Sequence, residues 1–346
     1  MNHMLPDLVY PLDGRPADGE AMAVAPGVFW VRMPIAIPGL DFINLYLIDD
    51  GDGWTVVDTG LRSKKIEELW RVVFARPGFD KPVRRVICTH FHPDHIGQAG
   101  WFEAEYGAQL WMTWGEWTFG RLLSLEALPE PPPAVLEFYK RAGLGDEALA
   151  AMKTRGYGNF GKAVTPIPRA LHRIVDGQVI GIGRQGWKVI VGQGHSPEHA
   201  CLYNAELNLL ISGDQILPRI SPHVGVYPGE PEADPLSLYL GSLPRFDHLP
   251  DDVTVLPAHG DVFRGLKRRL RDLQLHHDER LDALVEALAT PKMAIETLPV
   301  LFRRELKGEH AMLGLGEAIA HLHLLINRGR VTRSLGPDGA DLYAAA

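Results

Sequence analysis

The sequence predicts an α/β (α+β) fold in which helices pack around two β-sheets. Short runs of β-branched and aromatic residues fill residues 24–114, and similar runs return in residues 173–258. The similar make-up of these two strand-rich stretches indicates two sheets. The chain has 346 residues, of which 46% are hydrophobic, so it can bury a large core, and its length suggests about two domains.

The first stretch alternates strands with helices. The turn signal DDGDG at residues 49–53 joins two strand-like runs into a hairpin. Apolar residues at helical spacing in SKKIEELWRVVF predict a helix over residues 63–74, and PVRRVICTH predicts a buried strand over residues 82–90. A helix at 96–107 and a strand at 108–113 follow, which completes a strand–helix alternation around one sheet.

The remaining elements give the expected domain limits. Residues 1–22, rich in Pro, Asp and Gly, form an N-terminal arm, and residues 23–272 form the main domain. Residues 115–172 interrupt the strands with sequence that is mostly typical of helices, and they are expected to be a helical insert. Residues 273–346 are expected to form a smaller, mainly helical C-terminal region.

Composition excludes several classes of protein. The net charge of -8 argues against a general nucleic-acid or anionic-membrane surface, although a local basic patch would still be compatible with it. Only two cysteines occur, Cys88 and Cys201, so neither a disulfide framework nor a zinc–thiolate site is expected. The N-terminus lacks the pattern of a signal peptide, and no apolar run approaches the ~18 residues of a membrane span. We therefore expect a cytoplasmic enzyme.

The stretch CTHFHPDHIGQAG, residues 88–100, concentrates potential metal ligands directly after a predicted strand. His90 and His92 are two positions apart on extended backbone, so their side chains should project to the same side. Pro93 then turns the chain into a helix whose first turn holds Asp94 and His95 near that pair. This arrangement suits two adjacent cations, one bound by two imidazoles and the other by a carboxylate and an imidazole.

Partners for these residues follow later strands. His195 in GHSPEH, Asp214 in SGDQIL and His259 in LPAHGD each come after an apolar run and small residues. The two oxygens of Asp214 could bridge ions about 3.5 Å apart. Asp58 in VVDTG lies at a fourth strand end, where it could equally cap a helix. Each residue alone would be ordinary, so the prediction of a metal site depends on their shared place in one α/β pattern.

Five motifs in this order, VVDTG, THFHPDH, GHSPEH, SGDQIL and LPAHGD, resemble the metallo-β-lactamase-fold hydrolases over residues 24–270. The resemblance implies an αββα four-layer sandwich: two mixed sheets face to face, helices outside, and metals at one edge. The ligand types resemble the glyoxalase II, lactonase and phosphodiesterase branches, because the common β-lactamases carry a cysteine where this chain has Asp214. Glu198 replaces a glycine often found in the third motif, and His199 matches a position that is not normally a ligand.

The resemblance also implies roles for the individual residues. The first metal would be held by His90, His92 and His195, the second by Asp94, His95 and His259, with Asp214 bridging both and Asp58 orienting the ligands from behind. The cofactors would be two divalent metal ions, with zinc first and iron or manganese as alternatives. Two cations sharing a water lower its pKa from ~15.7 toward ~7, and Asp94 is the candidate catalytic proton acceptor for that water.

The expected function is hydrolysis of a small thioester, ester or lactone, and the aromatic residues of the insert favour an apolar or acyl substrate. His223 and Tyr227 are candidate substrate contacts. An endoribonuclease or phosphodiesterase is one alternative, because residues 316–331 resemble the winged-helix-like C-terminal segment of some family members. A mononuclear iron persulfide dioxygenase is another, since one branch of the family has that activity. The sequence leaves the oligomeric state open.

Overall fold

The computed structural model describes residues 7–37, 40–303 and 305–346. Within these residues, two β-sheets pack face to face and helices cover both outer surfaces. The predicted αββα sandwich is therefore confirmed. Residues 1–6 of the expected N-terminal arm lie outside the described residues.

The first sheet has seven strands in chain order. They are β1 (Ala21–Ala25), β2 (Val28–Ile37), β3 (Leu40–Asp49), β4 (Trp54–Val57), β5 (Val83–Ile87), β6 (Gln109–Met112) and β7 (His172–Arg173). Strands β1 to β4 pair antiparallel, and β4 to β7 pair parallel. The DDGDG turn joins β3 to β4 as predicted, and β1 begins inside the segment expected to be an arm.

The second sheet has five strands in the order β12-β11-β10-β9-β8. They are β8 (Val179–Ile182), β9 (Gln185–Gly192), β10 (His199–Asn204), β11 (Leu209–Gly213) and β12 (Thr254–Pro257). Only the β11–β12 pair of this sheet is parallel. Strand β7 belongs by sequence to the second strand-rich stretch but pairs with β6, so that stretch contributes to both sheets.

The helices of the described residues surround the sheets. They are α1 (Lys64–Phe74), α2 (Pro93–Ile96), α3 (Ala99–Tyr106), α4 (Trp114–Leu125), α5 (Pro133–Arg141), α6 (Asp146–Arg155), α7 (Phe160–Ala163), α8 (Pro235–Ser242), α9 (Leu266–Ala287), α10 (Leu298–Leu301) and α11 (Glu309–Asn327), with 3₁₀ turns at Leu243–Phe246 and Ala294–Thr297. Ser63 caps α1 by accepting a hydrogen bond from the Ile66 amide at 3.2 Å, which explains why the helix begins there. Helices α4 to α7 occupy the region predicted as a helical insert.

Three buried clusters stabilise the four layers. Trp30 and Trp187 lie in the core between the two sheets. Trp70 of α1 belongs to the core beneath the first sheet, and Tyr239 of α8 to the core beneath the second. Full burial of a large apolar side chain stabilises a fold by about 1.5–3 kcal/mol, so these clusters fix the layers relative to one another.

The C-terminal region packs on the second sheet. Leu315, Leu322 and Leu325 of α11 join the same core as α8 and α9. A hairpin of β13 (Val331–Leu335) and β14 (Asp341–Ala345) follows α11. Of the helices in the described ranges, none is long and apolar enough to cross a membrane.

Candidate metal centre

The strand directions bring the predicted ligands to one edge of the sandwich. Strands β4 and β5 are parallel, as are β11 and β12, and β9 runs in the same direction as β11 because both are antiparallel to β10. The carboxyl ends of strands that run the same way meet at the same edge of a sheet. Asp58 follows β4, and the ligand candidates His195, Asp214 and His259 follow β9, β11 and β12.

The side chains of His90 and His92 converge, although strand β5 ends earlier than predicted. Strand β5 ends at Ile87 and not at residue 90 as predicted, so the two histidines lie in the bend that follows the strand. Their rings nevertheless converge, with 2.9 Å between His90 Nε2 and His92 Nδ1. Asp94 and His95 lie in α2, as predicted from Pro93.

The first group of ligand atoms comes from His90, His92, His195 and Asp214, and these atoms lie within 4.8 Å of one another. His195 Nε2 lies 3.2 Å from His90 Nε2 and 3.4 Å from Asp214 Oδ2. A tetrahedral zinc ion with ligand bonds of about 2.0–2.1 Å separates its ligand atoms by about 3.3 Å. The observed spacing therefore fits one cation.

The second group comes from Asp94, His95 and His259. His259 Nε2 lies 3.3 Å from Asp94 Oδ2 and 3.5 Å from Asp214 Oδ1. His95 Nε2 lies 3.7 Å from Asp94 Oδ2 and 3.6 Å from Asp214 Oδ1. Asp214 thus directs Oδ2 toward the first group and Oδ1 toward the second.

Three atoms at the centre of this arrangement need a partner. Among the described residues, His95 Nε2, His259 Nε2 and Asp214 Oδ1 are buried and find no hydrogen-bond partner. A buried polar atom without a partner costs about 1–3 kcal/mol, and three in one place are a large penalty. A cation beside Asp214 Oδ1 would satisfy all three atoms, so the residues of the second group fit a metal ion, as the spacing of the first group does.

Hydrogen bonds on the far side of three rings orient them toward the centre. His95 Nδ1 lies 2.8 Å from Asp58 Oδ2, His195 Nδ1 lies 2.7 Å from the His223 carbonyl oxygen, and His259 Nδ1 lies 3.0 Å from the Phe42 carbonyl oxygen. Each acceptor favours a proton on Nδ1, which leaves the Nε2 lone pair available for a metal. Partners of this kind are typical of histidine ligands.

Asp58 links the end of β4 to the ligand loop. Its Oδ1 accepts a hydrogen bond from the Thr89 amide at 2.7 Å, and its Oδ2 accepts one from Thr89 Oγ1 at 2.8 Å. Its backbone is left-handed, with φ of 59°, which is uncommon for a residue other than glycine. Such backbone strain is typical of functional sites, where the surrounding contacts hold it in place.

His199 supports Asp214 from behind. The Asp214 amide donates to His199 Nε2 at 3.0 Å, and the His199 ring is fully buried. Gly213 lies against the same ring, where a Cβ would come within 2.5 Å of His199 Cε1. His199 thus supports the loop that carries Asp214 and belongs to neither ligand group.

The electrostatics of the two groups differ. Burial lowers the pKa of His90 and His92 well below the ordinary value, so both rings are neutral and ready to bind a metal. Burial acts the same way on His95 and His259, but the nearby carboxylates outweigh it, raising the pKa of His95 well above normal and that of His259 to about 8. Burial would raise the pKa of Asp94, yet His95 and His259 lower it to about 2.

Sequence reasoning missed Glu116, a fully buried residue in the first turn of α4. Its carboxylate accepts hydrogen bonds from the Phe91 amide, Ser196 Oγ and the Glu198 amide. Burial raises the pKa of Glu116 to about 7, although the three donors act in the opposite direction. Its only sequence signal is an acidic residue in a first helical turn, which indicates a helix start and nothing more.

Of the two predicted substrate contacts, His223 touches a ligand of the first group through its backbone, and Tyr227 touches the His223 side chain. The carbonyl of His223 holds His195, and His223 Nε2 lies 2.7 Å from the hydroxyl of Tyr227, which is 43% exposed. Behind them, Glu317 of α11 has Oε2 at 3.6 Å from His223 Nδ1 and pairs with Arg280 of α9 at 2.9 Å. The C-terminal region thus supports this wall of the site, which the sequence did not indicate.

Family models match most of the chain. Residues 38–259 match the model described as the metallo-beta-lactamase superfamily. Residues 281–346 match the model described as a metallo-beta-lactamase-like C-terminal domain. The second match covers α11 and the β13–β14 hairpin.

Solved structures and curated relatives agree with these matches. A beta-lactamase domain protein from Burkholderia ambifaria is 42% identical, with a TM-score of 0.90 over 98% of both chains. A metallo-beta-lactamase family protein from Thermus thermophilus is 29% identical, with a TM-score of 0.78 over 94% of this chain and 100% of that one. The human protein named acyl-coenzyme A thioesterase MBLAC2 is 24% identical over 71% of this chain and 82% of its own length. The chain spans 57% of a matching protein from Aquifex aeolicus.

Proposed function

The chain belongs to the metallo-beta-lactamase superfamily of hydrolases, and we propose that it hydrolyses a small thioester, ester or lactone with two divalent cations. The observation that carries the proposal is the orientation of Asp214. Its Oδ2 lies 3.4 Å from His195 Nε2, while its Oδ1 lies 3.5 Å from His259 Nε2. One carboxylate therefore serves both ligand groups, as a bridging ligand must.

The proposed ligands follow from these groups. His90, His92 and His195 would hold the first cation, and Asp94, His95 and His259 the second, with Asp214 shared. All donor atoms are nitrogen or oxygen, a set that suits zinc and also accepts iron or manganese. We propose zinc, and the presence of a complete second group argues for two ions and against a mononuclear iron centre.

The residues around the cations have distinct proposed tasks. When bound, a pair of cations supplies Lewis acidity that ionises a water near pH 7 and polarises a carbonyl group. Asp94 stays ionised because its pKa is about 2, so its carboxylate can accept a hydrogen bond from the attacking water and orient it. Asp58 keeps His95 aligned through the 2.8 Å contact with its Nδ1.

Two observations favour an acyl thioester among the possible substrates. Tyr227 is 43% exposed and its hydroxyl lies 2.7 Å from His223 Nε2, so these two side chains could contact the substrate together. A relative that matches 71% of the chain is named an acyl-coenzyme A thioesterase. A thiolate also leaves without being protonated, so a thioester substrate needs no proton donor at its leaving group.

The insert contributes less to a substrate pocket than its aromatic content suggested. Phe119 and Phe160 pack with Phe91, the residue between His90 and His92, and so stabilise the ligand loop. Trp117 also packs against the first core, whereas Trp114 at the start of α4 is 49% exposed. Of these four rings, Trp114 is the one available to an apolar substrate.

A substrate screen tests the proposal. The purified protein, loaded with zinc, would be assayed against acyl-coenzyme A thioesters, aryl esters, lactones and single-stranded RNA. We expect metal-dependent hydrolysis of an acyl substrate and no cleavage of RNA. Metal-dependent RNA cleavage without acyl hydrolysis would contradict the proposal and favour an endoribonuclease.

A further inference from the structure

The first turn of α4 is hydrogen-bonded to the two loops that carry the histidines of the first group. The bonds involve Glu116 and Glu198 and their partners, and we call this arrangement the Glu116–Glu198 clip. Glu116 belongs to the helical insert, whereas Glu198 follows His195 by three positions. The clip is therefore a direct connection between the insert and the metal centre.

Each oxygen of Glu116 serves one loop. Oε2 accepts the amide of Phe91, the residue between His90 and His92, at 3.0 Å. Oε1 accepts Ser196 Oγ at 2.6 Å and the Glu198 amide at 2.7 Å, on the loop that carries His195. The carboxylate thus contacts both loops from a position fully shielded from water.

Glu198 completes the connection from the other side. Its Oε2 accepts the Gly115 amide at 2.7 Å, and its carbonyl oxygen accepts Thr113 Oγ1 at 2.8 Å. The Gly115 amide is one of the first-turn amides of α4 that have no partner within the helix. Glu198 therefore caps α4 from the neighbouring loop, and the contact is tight, since a Cβ on Gly115 would lie 3.0 Å from Glu198 Oε2.

We propose that the Glu116–Glu198 clip fixes the distance between the His90–His92 pair and His195, and so sets the affinity and geometry of the first metal position. Glu116 is a positioning residue, because it touches backbone and hydroxyl groups of the loops and none of the ligand rings. The observed distance of 3.2 Å between His90 Nε2 and His195 Nε2 is the quantity that it holds. This inference rests on the proposed metal ligands.

A role in folding alone predicts a different outcome. If the clip only anchored α4, its loss would lower the free energy of unfolding and leave the metal position unchanged. If the clip positions the ligands, its loss must weaken metal binding and alter the coordination geometry. Cobalt reports on both quantities, since Co²⁺ takes the same ligand types and its visible absorption depends on geometry.

Titration of the metal-free protein with Co²⁺ tests the proposal with one variant of the clip and one matched control. In Glu116→Gln, the side-chain amide has one acceptor oxygen, so its NH₂ group must face a donor of one loop. We therefore expect the first Co²⁺ to bind about 10–100-fold more weakly and to show an altered spectrum. Glu130→Gln, on an exposed part of the insert, is the matched control and should bind Co²⁺ as the parent does.

The outcomes separate the clip from the proposed function. Parental affinity and spectrum in Glu116→Gln, or an equal loss in Glu130→Gln, would overturn the clip. Failure of the parent itself to bind two Co²⁺ ions would instead contradict the proposed metal centre. If Glu116→Gln does not fold, Ser196→Ala removes only the 2.6 Å bond, and we expect a smaller weakening with the same spectral change. Unchanged binding in that variant would overturn the clip.

Discussion

Asp58 Oδ2 lies 2.8 Å from His95 Nδ1, while the Asp58 backbone is held in a left-handed conformation with φ of 59°. The same carboxylate accepts two hydrogen bonds from Thr89, the residue directly before His90. Asp58 therefore acts on both ligand groups without being a ligand itself. It orients the His95 ring of the second group and anchors the loop that carries His90 of the first group.

Replacing Asp58 with asparagine should weaken metal binding about 10–100-fold. Asparagine tolerates a left-handed backbone, so the variant removes the charge without adding conformational strain. The affinity can be measured by competition with a chelator. Asp52→Asn in the exposed β3–β4 turn is the control, and equal affinities in the two variants would exclude a role for Asp58 in orienting the ligands.

Replacing His259 with alanine should reduce the metal content from about two ions per chain to about one, because His259 belongs to the second group alone.

Asp214→Ala should lose ions from both groups, since each of its oxygens faces one of them. His92→Ala should lose the ion of the first group, and the last two variants should lose activity as well. Elemental analysis checks these contents against His248→Ala, an exposed histidine, and identical contents throughout would refute the ligand assignment.

Metal binding should release protons near neutral pH. In the absence of metal, nearby carboxylates raise the pKa of His259 to about 8 and also raise that of His95, so both rings hold protons at pH 7. A metal must displace each proton, and the apparent affinity should fall about tenfold per pH unit per proton as the pH drops below about 8. Calorimetry in buffers of different ionisation enthalpy counts these protons. A count of zero at pH 7 would contradict this electrostatic account.

Replacing His199 with alanine should destabilise the metal-free protein by about 1–3 kcal/mol, because the buried Asp214 amide loses its acceptor. Denaturant unfolding measures this change. The variant should also bind metal more weakly, since Asp214 is then free to turn. A variant as stable as the parent would show that the 3.0 Å contact contributes nothing to folding.

Local sequence signals predicted much of the fold. The DDGDG turn between β3 and β4 and the amphipathic helix α1 depend on neighbouring residues alone, so composition and spacing reveal them. Strand β7 shows the limit of this reasoning. Its two residues pair with Trp111 and Met112 across the whole insert, and no local pattern specifies that partner.

The residues of the candidate site also divide into those that the sequence could reveal and those that it could not. The side chains of His195 and Asp214 have a recognisable chemistry and follow strands, so their convergence could be anticipated. The carbonyl of His223, which holds His195, is a backbone group that every residue possesses and carries no signal in the sequence. Glu116 was missed because its function depends on burial between two distant loops, which only the tertiary structure creates.

Anomalous diffraction from crystals of the zinc-loaded protein, collected on both sides of the zinc absorption edge, tests the central claim most directly. We predict two peaks separated by about 3.5–4 Å, one beside each carboxylate oxygen of Asp214. A single peak, or peaks away from the His90–His95 loop, would contradict the two-cation centre.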